Sequence, residues 1–416
     1  MGFKIEISEK GDKIIIEQKE ERESIKNENE EKSKKDNLWQ EWSVKSKYNS
    51  FNSYKGLTYI DSHYKPIAKW FKGEGKLPAP IEISLDPAHL CNFNCSHCNA
   101  QRYLVIHPDE VPEDKKIMTR EHLKRFVDFC ADWGVRAICI GGGGESLMNR
   151  NVWDLPSYIA QKGMKSSFAT NGSLINEKIA REMMNCRWVG VSVDASTKET
   201  YNKIHGVDFF EKVLENIKLL VKMKKETGSK IDLSYKFLIT PDNWHEVYEA
   251  CKLAKSLGVR DFHARPVDLE RKDFEQGIEL NYNINKIKEL FAKCHELEEG
   301  DEFRVFTVMH KYDENFKITH SFKNCVSSSL MLQACADGNV YVCADHRIEN
   351  RFKLGSHFPN PERILDFWGS ERHRELLKGI CVDKECGRCT YGEYARQIEE
   401  LTMNSKEKDL MCVDFP

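Results

Sequence analysis

No apolar run in this 416-residue sequence approaches the roughly 20 residues that cross a bilayer, so a membrane-spanning helix is not expected. The opening stretch "MGFKIEISEKGDK" lacks the apolar core of a secretory signal, and Glu6 stands where a myristoylation signal needs serine or threonine. A cytoplasmic protein is the expectation. Charge of one sign is lacking as well. The formal net charge is −3, with 63 Lys and Arg against 66 Asp and Glu, so no global field argues for nucleic acid or for a membrane surface. Internal repeats are absent. So are a Walker A loop and a dinucleotide fingerprint: "CIGGGGES" (139–146) has no Gly-Lys-Ser/Thr and carries Ser146 where the last fingerprint glycine belongs.

Cysteine, by contrast, is plentiful, at fifteen residues. In an unexported chain thiols stay reduced, so metal binding or catalysis is the better reading than a disulfide framework. Cys130, Cys139, Cys186, Cys251 and Cys294 stand singly in apolar patterns and read as small buried hydrophobes. The others cluster. "CNFNCSHC" (91–98) spaces Cys91, Cys95 and Cys98 as Cys-x3-Cys-x2-Cys, and a second group sits at 325, 335, 343, 381, 386 and 389. A structural zinc or a simple cubane takes four ligands, so three thiols leave something open. A cubane on three cysteines keeps one iron free for the nitrogen and oxygen donors of a small molecule. Zinc with His97 as fourth ligand is the alternative, although Cys95-Ser96-His97-Cys98 would crowd its donors on one side.

Residues 3–18 read as two alternating strands around a Gly-Asp turn, and 19–37 are too charged to bury anything. From 81 onward strands alternate with helices. The strands are 81–86, 136–140, 165–170, 188–193, 231–238 and 261–267. Leu123, Phe126, Val127 and Cys130, and again Val247, Ala250, Cys251 and Ala254, fall on one helical face. Ser196 with Glu199, and Asn243 with Glu246, have capping-box spacing. This alternation predicts an α/β fold, a partial (β/α)6 TIM-like barrel with active-site groups at the strands' C-terminal ends, followed by a small α+β module. The expected division is a polar extension at 1–38, a lead-in at 39–79, the barrel at 80–310, a cysteine-bearing module at 311–400 and a tail at 401–416.

The first cysteine array follows the first barrel strand directly, and there it resembles the signature of the radical S-adenosylmethionine (radical SAM) superfamily. The resemblance implies a [4Fe-4S] cluster on Cys91, Cys95 and Cys98 whose open iron chelates S-adenosyl-L-methionine. One electron then cleaves the sulfonium to a 5′-deoxyadenosyl radical. A one-electron donor such as flavodoxin or ferredoxin is implied as a partner. His97 takes the position that packs near the adenine. Gly143-Gly144-Glu145 matches the family's "GGE" motif for the cofactor's amino group, while Thr170 and Asn171, and Ser192 and Asp194, are placed to meet its carboxylate and ribose. A helix cap or Asx-turn is the plainer reading of Asn171 and Asp194.

The later cysteines resemble the SPASM and twitch group of auxiliary-cluster domains. Cys325-x12-Gly338-x4-Cys343 and Cys386-x2-Cys389 fit it, and because "TYGEYARQIEE" adds no cysteine, one auxiliary cluster is implied and not two. Structural zinc on Cys343, Cys381, Cys386 and Cys389 is the alternative. Cys335, Cys381 and Cys412 are left over. The expected protein is an oxidoreductase with two [4Fe-4S] clusters that abstracts hydrogen from an unactivated C–H of a small metabolite, sugar or aminocyclitol-like, in a net oxidation. Maturation of a ribosomal peptide is the alternative, although residues 1–80 are too polar and broken for a leader-binding domain. A non-catalytic iron–sulfur or zinc scaffold is the rival of another class. The motifs identify no catalytic acid or base. Lys236, His263 and Arg265, near later strand ends, are substrate-pocket candidates, with salt-bridged barrel residues as the plainer reading.

Overall fold

The computed structural model describes residues 4–7, 14–17, 54–98, 116–267, 283–307, 320–386 and 389–403. The charged stretch 19–37 and Cys412 lie outside them. The first two strands, β1 (Lys4–Ile7) and β2 (Ile14–Glu17), pair as an antiparallel hairpin, as their alternation predicts.

A ten-stranded sheet carries the rest of the fold. Its centre is β3 (Glu82–Asp86), β4 (Ala137–Ile140), β5 (Lys165–Thr170), β6 (Trp188–Ser192), β7 (Asp232–Ile239) and β8 (Asp261–Pro266), each parallel to the next. These are the six expected strands. A seventh, β9 (Arg304–Thr307), adds on parallel to β8 and was not legible in the sequence. It has four residues and opens on a buried arginine that interrupts the apolar Phe303, Val305 and Phe306. Arg304 is held by the buried Asp261, its Nε donating to Oδ1 at 2.7 Å. The sheet stays open, a partial barrel.

The C-terminal module does not stand apart from this sheet. Its first strand, β10 (Met331–Cys335), pairs in parallel with β3, setting Gln333 opposite Ser84 and Cys335 opposite Asp86. Strands β11 (Asn339–Tyr341) and β12 (Lys353–Ser356) then continue it antiparallel. The lead-in helix α1 (Lys65–Phe71) also belongs to the core, burying Ile67 and Trp70, while Tyr64 donates from its hydroxyl to Gln397 Oε1 at 2.9 Å.

The helices form for local reasons. In α2 (Arg120–Trp133) the Thr119 hydroxyl accepts from the His122 N–H, and Gly134 closes the end in the left-handed conformation at φ 95°. The helix buries Leu123, Phe126, Val127 and Cys130 as its spacing predicts, each large apolar side chain contributing about 1.5–3 kcal/mol. Helix α3 (Lys198–His205) is capped by Thr197, not by Ser196, and α4 (Val247–Leu257) has no side-chain cap. Neither predicted capping box closes on itself. Glu246 instead reaches across to the other helix, where its carboxylate accepts from the hydroxyls of Ser196 (2.9 Å), Thr197 (2.8 Å) and Thr200 (2.5 Å).

Candidate active site

The loop carrying the first three cysteines is fastened to the C-terminal end of α3. Asn94 and Ser96 donate their N–H groups to the carbonyls of His205 (3.0 Å) and Ile204 (2.9 Å). Phe93 stacks on Phe209 at 5.9 Å. Gly206 lets the two segments meet, since it sits at φ 68° and a Cβ there would come within 2.8 Å of the Asn94 carbonyl oxygen.

Burial pushes the Cys91 and Cys95 thiols up, and the neighbouring cysteines push them further. A bound cation is what would hold them as thiolates. Yet among the described residues these three sulfurs do not all lie within 4.8 Å of one another. A tetrahedral zinc with Zn–S of about 2.3 Å would draw them to roughly 3.8 Å apart. The donor set therefore fits a polynuclear cluster better than one zinc.

Beside this loop, β4 runs into the four glycines. Two of them serve the loop. A Cβ on Gly143 would meet Asp86 Oδ2 at 2.8 Å, and one on Gly144 would meet the Leu90 carbonyl oxygen at 2.5 Å. The Glu145 N–H donates to that same Leu90 oxygen at 2.8 Å. Glu145 is 3% exposed. Its Oε1 accepts from the Thr170 hydroxyl (2.8 Å) and the Leu147 N–H (3.1 Å), and its Oε2 accepts from the Asn171 N–H (2.7 Å). Burial raises its pKa against those three hydrogen bonds, so the carboxylate sits poised for a cation.

Glu145, Thr170 and Asn171 are thus brought together by the structure. The plainer reading of Asn171 holds in part, since its Oδ1 accepts from the Ser173 N–H (3.0 Å) and hydroxyl (2.8 Å) in an Asx-turn. Its Nδ2 meanwhile donates to Asn92 Oδ1 at 2.9 Å, inside the cysteine loop.

Asp194 points elsewhere than expected. At φ 58° and 1% exposure it turns its carboxylate under the cysteine loop. Oδ1 accepts from the Leu238 N–H at 2.6 Å, and Oδ2 lies 3.6 Å from His97 Nε2 and 3.5 Å from His205 Nε2. Burial raises its pKa, but the two imidazoles and the Leu238 bond outweigh that and keep it low. His205 also faces the Val193 carbonyl through Nε2 (2.9 Å), leaving Nδ1 to accept from the Cys95 thiol at 3.0 Å. Asp194 and His205 orient the loop from below. His205 and Asn92 carry no motif of their own, and only their place in the fold discloses them.

The barrel's inner face continues from Ser192. Parallel register sets Ser192 beside Lys236 and Lys236 beside His263, with Arg265 beside Leu238. Lys236 Nζ is 2.8 Å from His263 Nδ1 and 5.2 Å from the centre of the Trp188 ring. Burial lowers its pKa to about 8, and Arg265 adds to that. Cys139 shares this face and is only half-buried, unlike Cys130, Cys186, Cys251 and Cys294, which are buried as expected.

The C-terminal cysteines converge from three segments. Cys325, Cys343 and Cys389 all bear electrostatically on Cys386, and Cys325 and Cys389 on Cys343. Cys381 takes no part and is exposed, and Cys335 is buried elsewhere, beside Asp86. Among the described residues no three of the four sulfurs lie within 4.8 Å, again wider than a zinc site.

Residues 86–233 match the family model of the Radical SAM superfamily. Residues 86–233 thus carry a radical SAM domain, the part of an enzyme that binds S-adenosylmethionine and the superfamily's iron–sulfur cluster. Over 220 residues it is 26% identical to a "Probable GTP 3',8-cyclase" of Saccharolobus islandicus, spanning 51% of this chain and 67% of that protein. It is 28% identical over 368 residues to an AdoMet-dependent heme synthase of Methanosarcina barkeri, spanning 81% of this chain and 97% of that one. Among solved structures, Streptococcus suis SuiB bound to precursor peptide SuiA has the same fold, with TM-score 0.55 and 14% identity, covering 86% of this chain and 79% of that chain. Among the described residues no helix is long and apolar enough to cross a membrane.

Proposed function

We propose that this enzyme holds a second cluster on Cys325, Cys343, Cys386 and Cys389 and oxidises a small molecule that carries a carboxylate or phosphate. The convergence of those four thiols carries the reading, since a substrate radical that must lose an electron needs an acceptor within reach. S-adenosylmethionine and its cluster on Cys91, Cys95 and Cys98 supply, when bound, reductive cleavage to a hydrogen-abstracting 5′-deoxyadenosyl radical. The chain's own residues do the placing. Glu145, already oriented by Thr170, Asn171 and Leu147, has a lone pair left for the cofactor's ammonium. His97 and Asp194 fix the loop that presents it. A one-electron donor such as flavodoxin or ferredoxin completes the scheme.

Glu145→Ala should weaken S-adenosylmethionine binding by roughly 10- to 100-fold, the worth of a charge-assisted bond of about 1.5–3 kcal/mol. Isothermal titration of the cluster-loaded protein measures it. An unchanged affinity would assign the ammonium to another group.

The substrate class rests on Lys236, His263 and Arg265 on the inner face. An aminocyclitol is itself cationic and matches them poorly. Small molecules are also what the relatives named for GTP and for heme handle. A bound anion should depend on Lys236 in its charged form. That form is present below about pH 8 and is lost above it, so anion affinity should fall as pH rises through that value. In a thermal-shift screen, phosphorylated or carboxylated metabolites should raise the melting temperature of the wild type but not of Lys236→Met. Stabilisation by neutral sugars or by peptides, undiminished in Lys236→Met, would sink this assignment.

A further inference from the structure

One leftover cysteine has a setting that neither cluster explains. Cys335 ends β10, and its parallel register brings it to the end of β3, where the chain leaves for the cysteine loop. Its sulfur, a ring nitrogen of His89 and a carboxylate oxygen of Asp337 all lie within 4.8 Å of one another. His89 is 1% exposed, and neither of its ring nitrogens has a hydrogen-bond partner. A buried imidazole left so forfeits what water would give it, and a metal ion is the partner that three convergent donors of this kind provide.

The groups around the three donors orient them. Asp337 accepts from the Asn339 N–H (3.0 Å), Asn339 Nδ2 (2.7 Å) and the Tyr341 hydroxyl (2.6 Å). Gln333 Nε2 lies 3.5 Å from the Cys335 sulfur, placed to donate to a thiolate. His357 Nε2 meets the Cys335 carbonyl oxygen at 2.9 Å. Outer contacts of this kind hold metal ligands in register. Behind them, Asp86 and Arg347 form their own ion pair at 2.8 Å.

We propose that His89, Cys335 and Asp337 form a mononuclear site for a zinc-type divalent cation, separate from both cysteine clusters. One thiolate and one carboxylate neutralise the dication, and a neutral imidazole completes a mixed sulfur, nitrogen and oxygen set. Such a set suits zinc, whereas magnesium and calcium prefer oxygen alone. Three protein ligands leave the fourth tetrahedral position open. The site joins the segment that enters Cys91 to the hairpin that leads into Cys343, so it clamps the two cysteine loops to one framework.

The test uses the full-length protein with its clusters loaded anaerobically, then exposed to zinc and desalted. Metal analysis should find about one zinc per chain beside the cluster iron, by the ligand count above. X-ray absorption at the zinc edge should show a single sulfur with nitrogen and oxygen neighbours. Cys335→Ser and Asp337→Asn should each bring zinc to background while cluster iron stays constant. Zinc surrounded by three or four sulfurs would place it in vacant cluster sites and overturn the proposal. Zinc at background in the wild type, or unchanged in a folded Cys335→Ser, would do the same. The absorption measurement needs only the wild type, so an unstable variant leaves the proposal testable, and the cluster iron count tests the two-cluster reading separately.

Discussion

Replacing Cys91, Cys95 and Cys98 together with alanine should abolish formation of 5′-deoxyadenosine and, in a two-cluster protein, remove about half of roughly eight irons per chain. The loss should be complete, because a cluster without its protein thiolates is not retained and the loop then has no group that can deliver the electron. The variant should nevertheless fold. The Cys95–His205 contact is lost, but the backbone bonding to His205 and Ile204 and the stacking of Phe93 on Phe209 still dock the loop, and neither uses a thiol. Circular dichroism should therefore match the wild type while turnover, followed by chromatography of the nucleoside product, vanishes. Stoichiometric zinc with iron near zero in the wild type would instead favour a scaffold protein.

The second large effect is expected from Cys386→Ala with Cys389→Ala. Iron should again fall by about half, but the spectroscopic signature of the radical cluster should persist. 5′-Deoxyadenosine should still form and, if the proposed cluster is the electron acceptor, the oxidised product should be lost, since the substrate radical then has nowhere to send its electron. Metal binding energy is part of folding energy, so melting should also come earlier. The module should not detach, because β10 is a strand of the barrel sheet. A folded, one-cluster variant that makes product in full would falsify the electron-acceptor role and with it the net oxidation.

The strands that position the site were legible as short segments alternating with amphipathic helices, and "RAICIGGGGES" shows one ending in glycines. Strand β9 was not, because its opening arginine is neutralised by Asp261, a partner 43 residues away that no local pattern reveals. The capping signals failed for a related reason. Glu246 has the spacing for its own helix yet caps another, and only tertiary contact decides between them. At Gly143 and Gly144 an added Cβ would meet Asp86 and the Leu90 carbonyl, close approaches that the motif alone does not reveal. The motifs that carry Glu145, Thr170 and Asn171, which the structure brings together, were thus legible in sequence, but His205, Asn92 and Asp194's inward turn depend on chain segments that meet only after folding.

The pairing of β10 with β3 joins residues as far apart as Asp86 and Cys335, 249 positions along the chain. As the polypeptide emerges from the ribosome, one edge of the first barrel strand therefore stays open until most of the protein has been made. Unpaired edges invite mispairing between nascent chains, and contacts this distant in sequence form late. The cysteine loop springs from that same strand, so its final geometry waits for the distal half of the molecule. Fragments ending before residue 331 should be prone to aggregate, and loading of the proposed cluster at Cys91, Cys95 and Cys98 should be poor in them.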